Sequence, residues 1–272
     1  MTSPSLASAP RKESRHVLHC LEQVMGTVVT MDIYSEDGEA SDHTYLQVAR
    51  ARDILHRADA VFSTWKANSP MSRLRRGEIA REQAPPEVTE VLEECAEARR
   101  LSRGWFDPWA MPGGVDPTGY VKGWAAQRAL GALASAEVSG AMVNAAGDIA
   151  SFGAMGHSQA FRIGIVDPFS PSRLACVVEL TGALATSGTA ERGSHLIDPS
   201  SRRPTTRVAS ASVSGPDLGL ADALATAVAV AGEAGLKLVE TLDDYEALII
   251  GFDGTLRRTE HFPLASPVQL QG

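Results

Sequence analysis

Asp222 and Thr226 stand four residues apart in the run Ala221-Asp222-Ala223-Leu224-Ala225-Thr226. On a helix that spacing puts a carboxylate and a hydroxyl on one face. Both are hard oxygen donors, better suited to Mg²⁺ or Ca²⁺ than to Zn²⁺. The plainer reading is a first-turn acid favoured by the helix dipole, with a threonine at the edge of the core. A second run, Asp116-Pro117-Thr118-Gly119-Tyr120-Val121-Lys122-Gly123, joins an acid, a glycine and a lysine where a loop becomes a helix. Free N–H groups at a helix start bind phosphate, and a lysine there adds a point charge. The same residues also make an ordinary Asx turn and cap. Lysine is scarce in this chain; the others are Lys12, Lys66 and Lys237. A third stretch, residues 185–199, is rich in hydroxyls and glycines and sets His195 three residues before Asp198. His195 could serve as a general base or simply fill a surface or core position. A serine-hydrolase reading fails for want of a G-x-S-x-G elbow around Ser187. A fourth, Asn144-Ala145-Ala146-Gly147-Asp148-Ile149, is a turn between strands that could cradle a phosphate. It departs from G-x-G-x-x-G, which gives a Rossmann site little support, and it is also a good turn sequence in its own right.

The elements that must hold these residues follow from periodicity. Residues 1–15 read as a flexible tail rich in Ser, Ala and Pro. Residues 17–34 alternate and are β-branched, and read as strand. Val48, Ala51, Leu55, Ala58 and Phe62 recur at spacings of three and four, one face of a helix over 39–62. A polar loop covers 63–84. Pro85-Pro86 then opens a helix to residue 100, with Val88, Val91, Leu92 and Cys95 on its apolar side. Residues 105–119 read as loop and 120–133 as helix. From 141 to 181 short apolar runs alternate with Gly and Pro turns, as in antiparallel strands. Residues 208–213 read as strand, 218–232 as an Ala-rich helix, 236–242 as a shorter helix and 247–251 as a closing strand. Helices and strands come in blocks rather than as regular βαβ units, so the expected fold class is α+β, not a doubly wound sheet. No repeat or linker interrupts residues 16–265, which read as one domain.

Composition narrows the partners. The chain has 272 residues, 44% hydrophobic and 21% charged, which is ordinary for a globular protein. With 25 Lys+Arg against 33 Asp+Glu the net charge is -8, the wrong balance for coating nucleic acid. No apolar run spans a bilayer, so no membrane insertion is expected. Residues 1–14 lack the hydrophobic stretch of a secretory signal. Val17-Leu18-His19-Cys20 falls short of a lipoprotein box, because His19 stands where a small residue is needed. Cys20, Cys95 and Cys176 are odd in number and widely spaced, which argues against a disulfide framework or a thiolate zinc site. The expected location is the cytoplasm.

Taken in order, Met25-Gly26-Thr27, Phe62-Ser63-Thr64-Trp65, Phe106-Asp107-Pro108, Asp116…Lys122-Gly123, Asn144…Gly147-Asp148, Ala185-Thr186-Ser187-Gly188, His195-Leu196-Ile197-Asp198-Pro199 and Ala221-Asp222-Ala223-Leu224-Ala225-Thr226 resemble the ApbE family of FAD:protein FMN transferases, over roughly residues 17–252. The resemblance implies a two-lobed α+β fold, with a mixed or antiparallel sheet and flanking helices, that binds FAD. It implies Mg²⁺-dependent cleavage of the FAD pyrophosphate, transfer of FMN to a Ser or Thr of an acceptor protein, and release of AMP. Carried over residue by residue, the metal positions fall on Gly119, Asp222 and Thr226. The FAD contacts fall on Met25, Trp65, Phe106, Asp107, Asp116, Lys122 and Leu196. His195 falls on the proton-transfer histidine. The bottom-up reading fits: phosphoryl transfer needs a metal, a positive neighbour and a proton acceptor. Trp65 and Phe106 could also stack on a flat heterocycle. Departures from the family pattern are Ala146 for a glycine, Pro117-Thr118 and Tyr120-Val121 within the lysine block, a shortened loop over 107–116, Ala190 for an aromatic, and Arg203 for a glycine. An FAD pyrophosphatase giving FMN and AMP, or a non-catalytic FAD-binding protein, are the alternatives.

Overall fold

The computed structural model describes residues 15–35, 38–155, 160–188, 196–204 and 207–265. The N-terminal β-branched segment forms two strands rather than one. β1 (Arg15–Val24) and β2 (Thr27–Ser35) pair antiparallel, with Val24 opposite Thr27. Met25 and Gly26 take φ of 54° and 71°, the two positive values that a two-residue hairpin turn requires. Helix α1 (Asp42–Phe62) starts three residues later than the apolar spacing suggests. Ser41 caps it by accepting the Thr44 N–H at 3.1 Å. The segment read as polar loop contains a short helix, α2 (Pro70–Arg75), capped by Ser69 with Pro70 in its first turn. Six residues are too few to show a helical period, but Ser69-Pro70 is a helix-start signal. α3 (Pro86–Leu101) and α4 (Thr118–Leu133) follow.

The remaining strands are β3 (Gly140–Ala145), β4 (Asp148–Gly153), β5 (Phe161–Asp167), β6 (Ser170–Leu180), β7 (Gly182–Gly188), β8 (Ile197–Asp198), β9 (Arg203–Pro204) and β10 (Ser210–Gly215). After them come α5 (Leu218–Ala231), α6 (Glu233–Val239), β11 (Glu246–Ile250) and β12 (Leu256–Arg258). Among the described residues an eight-stranded sheet runs β1-β2-β3-β4-β7-β10-β11-β12, antiparallel at every pairing. The α+β expectation is met. β7 is the main surprise, because residues 185–188, marked in the sequence only by hydroxyls and a glycine, form part of a strand in the middle of the sheet. Its small side chains carry little β propensity, but they let helices pack closely on that face, and tertiary packing decides.

Side-chain alternation splits the core between the two faces of the sheet. Met31, Val143, Ala185, Val213 and Ile249 join α1, α4 and α5 in the larger apolar cluster. Ile149, Leu184, Leu248 and Ile250 face the other way, onto the β5–β6 hairpin, with Phe161, Val178 and Phe262. α4 packs against α5, and α5 lies over β7 and β10. Gly123 sets the α4–α5 distance: a Cβ there would stand 2.4 Å from the Leu218 carbonyl oxygen. No described helix is long and apolar enough to cross a membrane.

Candidate active site

Asp148 opens β4 two residues before Ala150, which belongs to the helix-facing cluster. Period two therefore sends the Asp148 carboxylate to that same face. It pairs there with Lys122 Nζ of α4, and it accepts the Thr186 N–H of β7 at 3.1 Å. Asp148 is fully buried and Lys122 largely so. A buried carboxylate needs such partners, since an isolated charge in the interior costs several kcal/mol, roughly. The Asn144 side chain fixes the turn into β4 by accepting the Gly147 N–H at 2.8 Å. Ala146 holds that turn at φ 55°, a left-handed conformation in which a glycine would be unstrained.

On β7 the alternation separates two hydroxyls. Thr186 faces away from the helices and bonds Ser212 Oγ at 2.9 Å. Ser187 faces them, and its Oγ lies 3.3 Å from Thr226 Oγ1 on α5. Asp222, one turn earlier on α5, is 4% exposed. The first turn of α4 closes on the same spot: a Cβ on Gly119 would stand 3.8 Å from Thr226 Oγ1 and 3.4 Å from Phe106 Cε2. Cys95 of α3 looks onto this region. Burial pushes its thiol up, and the charges of Glu94, Asp222 and Asp116 add to the effect. The Gly119 carbonyl, the Asp222 carboxylate and the Thr226 hydroxyl form a set of hard oxygens that could share a cation with a phosphate or water. Among the described residues no group of three His, Cys, Asp or Glu gathers as a metal cluster.

The other expected residues lie around this centre in different states. Asp116 accepts the Thr118 N–H at 3.1 Å and an Arg75 Nη1–H at 2.9 Å. Asp107 caps the short 3₁₀ turn of residues 108–110 through Trp109 N–H and takes Arg99 Nε–H at 2.7 Å. Phe106 is buried beside Gly119. Met25 is half-buried at the β1–β2 turn, while Trp65 is 95% exposed. The Leu196 side chain is taken up by the main apolar cluster. His195 lies outside the described residues. The structure thus brings Gly119 against Thr226, with Asp222 one turn earlier on α5 and Lys122 on the same helix as Gly119. It adds partners that the sequence does not show: Asp148 for Lys122, Ser187 for Thr226, and Arg75 for Asp116. An acid just after an Asn-x-x-Gly turn was a usable signal for Asp148, whereas nothing local marks Arg75. Two surface hollows, one beside Arg207 and Phe252 and one beside His43 and Arg50, lie apart from this polar cluster.

The ApbE family model matches residues 25–113 and 110–249 of the chain. Over 128 residues the chain is 39% identical to an FAD:protein FMN transferase of Rhodobacter capsulatus, covering 44% of this chain and 24% of that protein. The matched stretch therefore spans about a quarter of that relative's length. Among solved structures, a flavin transferase ApbE from Vibrio cholerae superposes with a TM-score of 0.77 at 21% identity, covering 93% of this chain and 98% of that one. An ApbE protein from Thermotoga maritima gives 0.76 at 22% identity, with 89% and 97% covered. A flavinyl transferase ApbE from Pseudomonas stutzeri gives 0.75 at 21%, with 91% and 95% covered. At these identities the superpositions establish the shared fold.

Proposed function

This chain belongs to the ApbE family, and on that premise we propose that it is a Mg²⁺-dependent FAD:protein FMN transferase acting on a Ser or Thr hydroxyl of an acceptor protein. The observation that carries the reading is the meeting of Gly119, Ser187 and Thr226 at the α4–α5 contact, with Asp222 one turn earlier on α5 and the Lys122–Asp148 pair joining α4 to β4. In the reaction the acceptor oxygen attacks the FMN phosphorus of FAD. The bond from that phosphorus to the bridging pyrophosphate oxygen breaks, and AMP leaves with the electron pair. Gly119, Asp222 and Thr226 would hold Mg²⁺, which when bound offsets charge on the phosphate oxygens. Lys122 adds a positive charge on the same side, and Asp148 keeps its ammonium group in place. That local charge matters in a chain whose net charge is -8, because the field of the whole molecule opposes an anionic substrate. Met25 and the exposed Trp65 offer apolar surface to the flavin or adenine ring. His195 takes the proton of the acceptor hydroxyl, the role the resemblance gives it. The free cysteines suit a reducing compartment, so the reading places the reaction in the cytoplasm.

Asp222→Ala tests the reading. The purified, folded variant is expected to lose Mg²⁺-dependent AMP release from FAD, and a co-expressed acceptor is expected to lose the mass of an added FMN. Wild-type AMP release by this variant would refute the metal assignment. AMP release by the wild type with every tested acceptor unmodified would instead identify an FAD pyrophosphatase.

A further inference from the structure

Three arginines around the end of α2, Arg73, Arg75 and Arg76, behave differently. Arg73 and Arg76 pair with the exposed Glu78, whereas Arg75 turns inward and is 15% exposed. Its guanidinium serves three acceptors on one loop. Nη1 donates to Asp116 Oδ2 at 2.9 Å, Nη2 to the Pro112 carbonyl at 2.8 Å and Nε to the Gly113 carbonyl at 3.3 Å. The loop is shaped around this group. Gly113 sits at φ 81°, and a Cβ there would stand 3.0 Å from Arg75 Nη2. The other Asp116 oxygen, Oδ1, accepts the Thr118 N–H that opens α4. A chain of contacts therefore runs from α2 through Arg75 and Asp116 to the first turn of α4, one residue before Gly119.

We propose that Arg75 is a positioning residue for the transfer reaction: through Asp116 it fixes the start of α4, which carries Gly119 and Lys122, and it cancels a negative charge beside the path of the FAD pyrophosphate. The proposal rests on the transferase reading for its second half only. Asp116 stands three residues before Gly119, which packs against Thr226, one helical turn after Asp222. Without Arg75, Asp116 would add a negative charge there that opposes an anionic substrate. A planar fork can bridge three acceptors, which a lysine ammonium on a flexible stem cannot reproduce.

The test compares Arg75→Ala, Arg75→Lys, Asp116→Asn and the double variant Arg75→Ala/Asp116→Asn. The first readout is amide hydrogen exchange, which needs no substrate. Arg75→Ala is expected to accelerate exchange over residues 112–119 while the rest of α4 keeps its protection. Unchanged exchange there, or acceleration across the whole protein, overturns the positioning role. The second readout is AMP release against FAD concentration. Arg75→Ala is expected to raise KM for FAD by roughly tenfold or more, the scale of a lost charge-assisted hydrogen bond, with a smaller change in kcat. Arg75→Lys should fall between it and the wild type. In the double variant, KM should return to within about threefold of Asp116→Asn alone, because the charge left uncompensated is gone. A fall in kcat at constant KM would mean only a smaller folded fraction and would sink the proposal, as would multiplicative KM effects in the double variant. If the wild type releases no AMP, the transferase reading fails, and the exchange data still decide whether Arg75 holds the start of α4.

Discussion

Lys122 and Asp148 offer the sharpest energetic test of the site. Asp148 has 0% side-chain exposure and Lys122 20%, so solvent screens the pair weakly. Asp148→Asn keeps an oxygen to accept the Thr186 N–H but leaves a buried ammonium facing a neutral amide. Removing one partner of a buried pair costs about 3–5 kcal/mol. The retained hydrogen bond puts Asp148→Asn near the lower end, about 3 kcal/mol. Lys122→Met strands the carboxylate instead and should cost at least as much. The double variant removes both charges and should cost far less than the sum, with a coupling of about 2–3 kcal/mol. For a chain of this size 1 kcal/mol moves Tm by about 2–4 °C. Asp148→Asn should therefore melt roughly 6–12 °C below the wild type. Urea unfolding of the four proteins gives the cycle directly. FAD should raise the Tm of Asp148→Asn more than that of the wild type, since its phosphates supply the missing negative charge. Additive single-variant costs, or a Tm loss in Asp148→Asn below about 2 °C, would refute the claim that this is a mutually dependent buried pair.

Other outcomes follow from single features. Trp65→Ala should leave Tm unchanged, since 95% of the side chain is exposed, while FAD affinity by fluorescence titration falls roughly fivefold, from about 1 kcal/mol for a stacked ring pair. An equal affinity would remove Trp65 from the flavin contacts. Ala146→Gly should raise stability by about 0.5–1 kcal/mol in denaturant, because the left-handed φ of 55° no longer meets a Cβ. A loss instead would mean that the turn relaxes in solution. His56, which donates to Glu22 at 2.8 Å, together with Arg52 holds the Glu22 carboxyl below the usual carboxylate range. A depressed folded pKa contributes stability above the unfolded value, about 4.3, and loses it as pH falls further. Glu22→Gln should accordingly be less stable than the wild type at pH 7, with the gap closing below about pH 4; a gap of constant size would exclude that ion pair as its source.

The long helices were legible because their apolar stripes are wide. Val48 through Phe62 on α1 and Val88 through Cys95 on α3 repeat often enough to reveal a period. The Asp222/Thr226 pair was legible for a related reason: four-residue spacing on a helix fixes a shared face without any tertiary knowledge. β7 was not, because Ala185, Thr186 and Ser187 look like turn material until the sheet on either side and the close helix above are known. α2 hid in a loop because six residues show no period. The partners of Asp116 and Lys122 were hidden by distance along the chain. Arg75 lies 41 positions before Asp116, and no local rule joins them. The arginine itself is one of four in the run Arg73 to Arg81, with nothing in the sequence to single it out.

The close crossing at Gly123 also says when the site can exist. Its oxygen donors come from Gly119 on one helix and from Asp222 and Thr226 on another whose sequence begins at Leu218. Between them the chain must complete β3, β4, β7 and β10, and it emerges from the ribosome in that order. A nascent chain stopped before residue 218 carries Lys122 and Asp148 but no carboxylate from α5. Contacts of such long sequence separation form late and slowly, so the proposed FAD site can be complete only in the finished fold. On the proposed reading, FAD bound there would stabilise α4 against α5 rather than start the collapse that brings them together.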